Sequence, residues 1–556
     1  MTAAQDNSGD VIVVGAGLAG LVCATELAAR GKRVLLLDQE SEAFLGGQAH
    51  WSLGGLFMVD TPEQRRLGIR DSLDLATHDW MDTAQFDGPR DEPQRAAARA
   101  YLDFAAGEMR PWLHGLGLRW FPAVGWAERG DGRAAGHGNS VPRMHLTWGT
   151  GPGVLAPFLT RLQAARAVGQ IQLHCRHQVS HIIVQGGAVK GVSGEVLAED
   201  PAPRGAKTSR HEVGEFELYA PSVVVASGGF GSSPDMVRQH WPEGRLGPCP
   251  DALLTGVPFH VDGRMLKVAQ AAGGQLVGAD RMWHYPDGIK NPDGVWPNEG
   301  LKLISGPSPM WFDAYGDRLP APCWPGFDTS AALEAVLASG QAYSWLVMSR
   351  KIFDKEIALS GAVQNPDLTT GTWGAVLKGR FAGGDSGATR LAALRKKSPD
   401  FIEAETLAAL VEGMNRVGAV PVDEARMRRQ IEARDAQCDN GFGKDAQIQA
   451  IWAARGYLGD RLLRVAKPHR MFDRQNGPLV AVRLSAMTRK SLGGLVAGPE
   501  GQMLGADGAP VPGLFAIGEA AGFGGGGHHG KAALEGTFLG GCLFTGLMAG
   551  RSALLA

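Results

Sequence analysis

The chain has no CxxC pair, and no apolar run approaches the ~18–20 residues needed to span a bilayer. Its six cysteines, Cys23, Cys175, Cys249, Cys323, Cys438 and Cys542, are scattered. That argues against a disulfide framework, a zinc site or haem attachment, and fits a reducing compartment. The opening MTAAQDNSGD lacks the basic-then-apolar pattern of a secretion signal. A cytoplasmic protein without a membrane span is expected. With 55 Lys+Arg against 57 Asp+Glu, the formal net charge is −2. There is no electrostatic case for nucleic acid. Internal repeats and low-complexity tracts are absent. Tyrosine is scarce, with six in 556 residues and none after Tyr457.

Glycine is abundant, at 79 residues, against a usual share of roughly 7%. The glycines gather at turns between apolar strands, where backbone must come close to something. The segment VIVVGAGLAGLVCATELAARGKRVLLLDQE predicts a strand over Val11–Val14, a helix from Leu21 to Arg30 and a second strand over Val34–Leu37. Gly15, Gly17 and Gly20 stand in GxGxxG spacing, with Ala19 among them. Asp38 ends the second strand. In that full context the glycines permit a tight turn and let backbone approach a pyrophosphate at a helix N-terminus. Asp38 can accept from ribose hydroxyls. FLGGQAHWSLGGL adds two glycine pairs, and residues 171–198 alternate as antiparallel strands.

Near the C-terminus, VPGLFAIGEAAG places Glu519 after a buried strand, and a helix starts near Thr537. A carboxylate there suits a ribityl or ribose hydroxyl. The helix N-terminus suits the electron-rich edge of a reduced flavin. Both ends of the chain are therefore expected to build one site. Between them, residues 280–330 are rich in Trp, Pro and Asp, with Trp283, Trp296, Trp311 and Trp324, and residues 401–464 are helical and charged. The expected architecture is α/β. A discontinuous Rossmann-like, glutathione-reductase-like cofactor domain (1–279 and 466–556) carries an inserted α+β cap (280–465).

The segments VVGAGLAGL, GGQAHWSLGGL, VVVASGGFGSSPDMV, DGRMLKVAQAAGG, TLAALVEGMNRV, SLGGL and VPGLFAIGEAAG give the chain its resemblance to the fumarate reductase/succinate dehydrogenase flavoprotein superfamily. Within it, the chain is most similar to the FAD-binding dehydrogenases grouped with 3-ketosteroid dehydrogenases. The resemblance implies FAD held by Gly15, Gly17, Ala19, Gly20, Asp38, Gly46, Gly47, Ser52, Gly54, Gly55, Val179, Gly228, Gly518, Glu519, Thr537 and Phe538. Membrane-bound relatives attach the flavin through a His; here Gln48 takes that place and His50 is two residues off. Non-covalent FAD is expected.

The resemblance also implies catalytic residues. WFDAYGDRL puts Arg318 at the place of the family's proton-donating Arg, with Tyr315 beside it. MWHYP puts His284 at the place of a substrate-facing His. The dicarboxylate clamp of the fumarate reductases is lost, with Arg489 where they have a His and Ala533 where they have an Arg; Lys531 lies close by. The steroid dehydrogenases' C-terminal Tyr is missing too, which leaves Tyr285 and Tyr315 as the placed phenols. His137, Arg143 and His145 form a basic loop expected beside the flavin. His528 and His529 lack a third ligand in sequence reach, and no metal is expected. The reaction implied is hydride transfer between FAD and a CH–CH bond next to a carbonyl, in a hydrophobic cyclic ketone such as a 3-ketosteroid. An external electron acceptor completes the cycle. Ene reduction, an oxidase or hydroxylase on the same scaffold, and a non-catalytic flavoprotein are the alternatives.

Overall fold

The computed structural model describes residues 7–86, 88–133, 136–381, 384–439, 442–522, 532, 534 and 536–555. The fold is mixed α/β. A six-stranded sheet runs in the order Gln502–Leu504, Pro510–Ala516, Val223–Val225, Val11–Val14, Val34–Asp38, Ile171–Cys175. All its pairings are parallel except that of the first two strands. Both faces are covered, so Val11–Val14 and Val223–Val225 are buried at every position. Helix Leu18–Ala29 lies against helix Thr537–Arg551. The approach is close enough that a Cβ on Gly546 would stand 2.6 Å from the Ala19 carbonyl oxygen.

Ile171–Cys175 departs from the antiparallel expectation. It pairs in parallel with Val34–Asp38, a partner distant in sequence. Arg176 (φ 59°) turns the chain out of the sheet. The antiparallel unit is His177–Gln185, Ala188–Leu197 and Glu212–Tyr219.

A second sheet of eight strands centres on Leu479–Ser491. That strand pairs with Met282–Lys290 on one side and Tyr343–Ser349 on the other. The second core thus draws on a segment beyond position 465, the expected limit of the insertion. Helices Leu407–Val417, Glu424–Asp435 and Ala446–Ala454 fill the charged region as expected. Among the described residues, no helix is long and apolar enough to cross a membrane.

Candidate active site

The glycine turn divides its labour. Gly15 sits at φ 108°, and a Cβ there would lie 2.5 Å from the Ala226 carbonyl oxygen. A Cβ on Gly20 would lie 1.9 Å from the Gly15 oxygen, so Gly20 packs helix on turn. Gly17, the helix N-cap, would meet nothing within 4 Å. Its open side faces a cleft that is open to solvent. Asp38 accepts from the N–H groups of Ala16 and Glu40, both at 2.8 Å. Burial outweighs these bonds and pushes its pKa up to about 6.

The C-terminal strand brings Gly518 and Glu519 to the same end of the sheet. Glu519 is buried; it accepts from Gln48 Nε2 at 2.5 Å and from the Ser491 N–H at 3.0 Å. Burial pushes its pKa above the usual carboxylate range. Gln48 lines the cleft, whereas His50 packs against Trp51 outside its wall. Burial, then Arg204, lowers the His50 pKa to about 4.

Of the expected cofactor residues, Gly15, Gly17, Ala19, Asp38, Gly46, Gly47, Ser52, Val179, Gly228, Gly518, Glu519 and Phe538 line this one cleft. Gly20, Gly54, Gly55 and Thr537 support the wall from behind. A Cβ on Gly54 would strike the Thr150 backbone, and one on Gly55 would strike Met144. Thr537 is fully buried at the start of the C-terminal helix and donates to the Leu534 carbonyl. Sequence reasoning missed Phe44, Pro258, His260 and Met265 in the wall, and also Lys490. Arg489, read only as a missing clamp residue, is in the wall as well.

The expected catalytic side chains are placed otherwise. Arg318 donates to both Asp445 oxygens (2.6 and 3.2 Å) and to Gln447 Oε1 (2.7 Å), away from the cleft wall. Tyr315 is 39% exposed on a turn. His284 is buried against Trp241, ring centroids 4.6 Å apart. Its Nδ1 has no hydrogen-bond partner among the described residues, and burial lowers its pKa to about 3. Its neighbours Trp283 and Tyr285 point the other way, into a cluster with Met487, Leu492 and Phe538. Successive residues of a strand face opposite sides, so these two cannot share a face with His284. Lys531, Ala533, His528 and His529 lie outside the described residues.

The basic loop is structural. Arg143 is buried on Asp71 and Asp79. His145 is buried between Thr61 and the Arg143 carbonyl, and burial lowers its pKa to about 4. His137 Nδ1 is 3.2 Å from Asp328, and its Nε2 is 3.9 Å from Glu128. Among the described residues this trio is the one group with metal-ligand chemistry. The two ring nitrogens face different carboxylates, which is the geometry of a bridging imidazolium.

A cationic cluster closes the cleft near Phe538. Lys490 Nζ donates to Tyr285 Oη at 3.2 Å and lies 3.4 Å from the Phe538 ring centroid. Lys302 Nζ lies 4.1 Å from the Tyr285 ring centroid, and the Arg489 guanidinium 5.9 Å from it.

The family described as FAD binding domain matches residues 10–539. A KsdD-like steroid dehydrogenase of Mycobacterium tuberculosis is 53% identical over 551 residues, 99% of this chain and 96% of the relative. A KsdD-like steroid dehydrogenase of Mycolicibacterium smegmatis is 53% identical over 531 residues, 95% of this chain and 96% of the relative. The 3-ketosteroid delta1-dehydrogenase of Sterolibacterium denitrificans superposes with a TM-score of 0.64 at 18% identity, over 98% of this chain and 99% of that one.

Proposed function

The chain belongs to the FAD-binding domain family and is an FAD-dependent oxidoreductase, and on that premise we propose that it acts on a carbon–carbon bond next to the carbonyl of a hydrophobic cyclic ketone such as a 3-ketosteroid. One observation carries the reading: near-full-length identity of 53% to relatives named as KsdD-like steroid dehydrogenases. The direction is dehydrogenation or its reverse, with an external electron acceptor or donor.

The residues fit the cofactor. Gly17 leaves open the space a side chain would fill, and the N–H groups of the first helical turn suit a pyrophosphate. The carboxylates of half-buried Asp38 and buried Glu519 would serve as acceptors for the adenosine ribose and the ribityl chain. Gln48 is an amide, so non-covalent attachment is proposed. When bound, FAD would supply the hydride acceptor for the substrate carbon, or the donor in the reverse direction. The chain's own part is to bind, to exclude water and to supply charge. Residues 1–279 with 466–556 are read as the discontinuous, Rossmann-like cofactor domain and 280–465 as a cap, with Leu479–Ser491 shared between them. Trp283 and Tyr285 on the cap strand would then meet Phe538 on the cofactor side. Arg318, His284 and Tyr315 are not assigned the proton step: Arg318 is held on Asp445 and Gln447, His284 is buried against Trp241, and Tyr315 is exposed on a turn. Lys531 keeps its place in the proposal on its sequence position alone.

The test is direct. Mixing 4-androstene-3,17-dione with oxidised protein should bleach the flavin. Mixing 1,4-androstadiene-3,17-dione with photoreduced protein should restore its colour. Fumarate should do neither, since Arg489 and Ala533 stand where the fumarate reductases have the His and Arg of their dicarboxylate clamp. A flavin that responds to fumarate and ignores both steroids would overturn the reading.

A further inference from the structure

The cleft has two ends of unlike chemistry. A chain of contacts runs between them: Asp38 bonds Ala16 in the glycine turn, Gly17 pairs with Gly46, Gln48 and the Ser491 N–H bond Glu519, and Lys490, next to Ser491, meets Phe538. Asp38 would hold the adenosine end of FAD, and Lys490 and Phe538 would meet its ring. We propose that Lys490 is the charge-compensating residue of the redox step, its ammonium stabilising the negative charge that FAD takes up on reduction.

The charge arises from the balance of the reaction. A hydride brings one hydrogen nucleus and two electrons from the substrate carbon, and it leaves one negative charge on the cofactor. The substrate's proton departs separately, to a protein group or to water, and does not cancel that charge. A cation already fixed in place costs no reorganisation at the moment of transfer.

Lys490 is fixed. Its backbone is pinned by pairing with Trp283. Its Nζ is held by the Tyr285 oxygen at 3.2 Å and by the Phe538 ring at 3.4 Å. Phe538 is the second residue of helix Thr537–Arg551. The partial positive charge of that helix N-terminus adds to the ammonium. The nearby carboxylate, Glu519, is engaged by Gln48 and the Ser491 N–H. Tyr285 acts through Lys490 and is a positioning residue.

The inference needs FAD but not the steroid reading. Its test is a reductive titration of the FAD-loaded protein against a dye of known potential, with no substrate present. Lys490→Met should shift the two-electron equilibrium against reduction by tenfold to a hundredfold, about 30–60 mV. Lys490→Arg should recover at least half of the shift. Tyr285→Phe should give a smaller shift of the same sign. An unchanged potential in FAD-replete Lys490→Met overturns the proposal. If Lys490→Met does not retain FAD, an unchanged potential in Tyr285→Phe overturns it instead. A shifted potential in a protein that ignores steroids would sink the substrate reading and uphold this one.

Discussion

Gly17 and Gly20 stand one helical turn apart and should fail differently when filled. Gly17→Val places its methyl groups in open cleft, so the protein should fold and melt cooperatively yet purify without flavin. Gly20→Val drives carbon into the Gly15 carbonyl. That cost should exceed the ~1–3 kcal/mol of ordinary overpacking and leave little folded protein. Circular dichroism with flavin absorbance separates the two outcomes. Arg318 gives a second contrast. Its fork is spent on Asp445 and Gln447, and those bonds hold the Asp445 carboxyl below its usual range although burial opposes them. Arg318→Ala should therefore cost roughly 1–3 kcal/mol of stability, as for a broken charged hydrogen bond. Turnover per bound FAD should change little. A lowered pKa contributes stability above the unfolded value and loses it as pH falls, so the wild-type advantage should shrink in acid. A large loss of turnover with unchanged melting would instead restore Arg318 to the proton step.

The strand Met282–Lys290 shows what an element adds to a motif. His284 and Tyr285 are adjacent in sequence, yet one packs on Trp241 and the other on Lys490. Spacing alone could not say which of them faces the cleft. Lys490 carried no local signal either, since its place follows from a pairing across more than two hundred residues. The N-terminal strand–turn–helix was legible because strand, glycine turn and helix follow one another in sequence, although its strand also pairs with Val223–Val225 and its helix packs on Thr537–Arg551. Ile171–Cys175 was misread because its alternation resembles a half-buried antiparallel strand. The His137 bridge also belongs at this scale, joining its loop to the first turn of helix Thr329–Ala338 through Asp328, that helix's N-cap. Burial opposes the imidazolium, but the Asp328 carboxylate at 3.2 Å and the Glu128 carboxylate at 3.9 Å prevail and push its pKa up to about 10. A raised pKa stabilises fully below the unfolded value and is lost as pH climbs through the folded one. His137→Gln should thus be destabilised by roughly 3–5 kcal/mol near pH 6, the usual cost of breaking a buried pair. The gap to wild type should close towards pH 10. Thermal melts across that range decide it, and a gap independent of pH would refute the bridging role.

Across the whole molecule, most of the residues that the family motifs pointed to for the cofactor line one cleft, whereas the catalytic side chains they pointed to do not. Turn glycines and capping acids obey backbone rules that survive in sequence, whereas catalytic side chains depend on which face a strand presents. The cofactor cleft takes its walls from both ends of the chain, so FAD should act as a tie between them. Adding free FAD to stripped protein at a hundred times its Kd should raise stability by about 2.7 kcal/mol, read as an increase in Tm. The sheet order carries a further consequence, for synthesis. Val223–Val225 pairs on one side with Val11–Val14 and on the other with Pro510–Ala516. At roughly 5–20 residues per second, a ribosome needs roughly 15–60 s to make the stretch from Val225 to Pro510. For that time the nascent chain carries an apolar edge with open hydrogen-bonding groups, the kind of surface on which chains aggregate. Fast translation and chaperone cover should therefore govern its soluble yield more than the stability of the finished fold does.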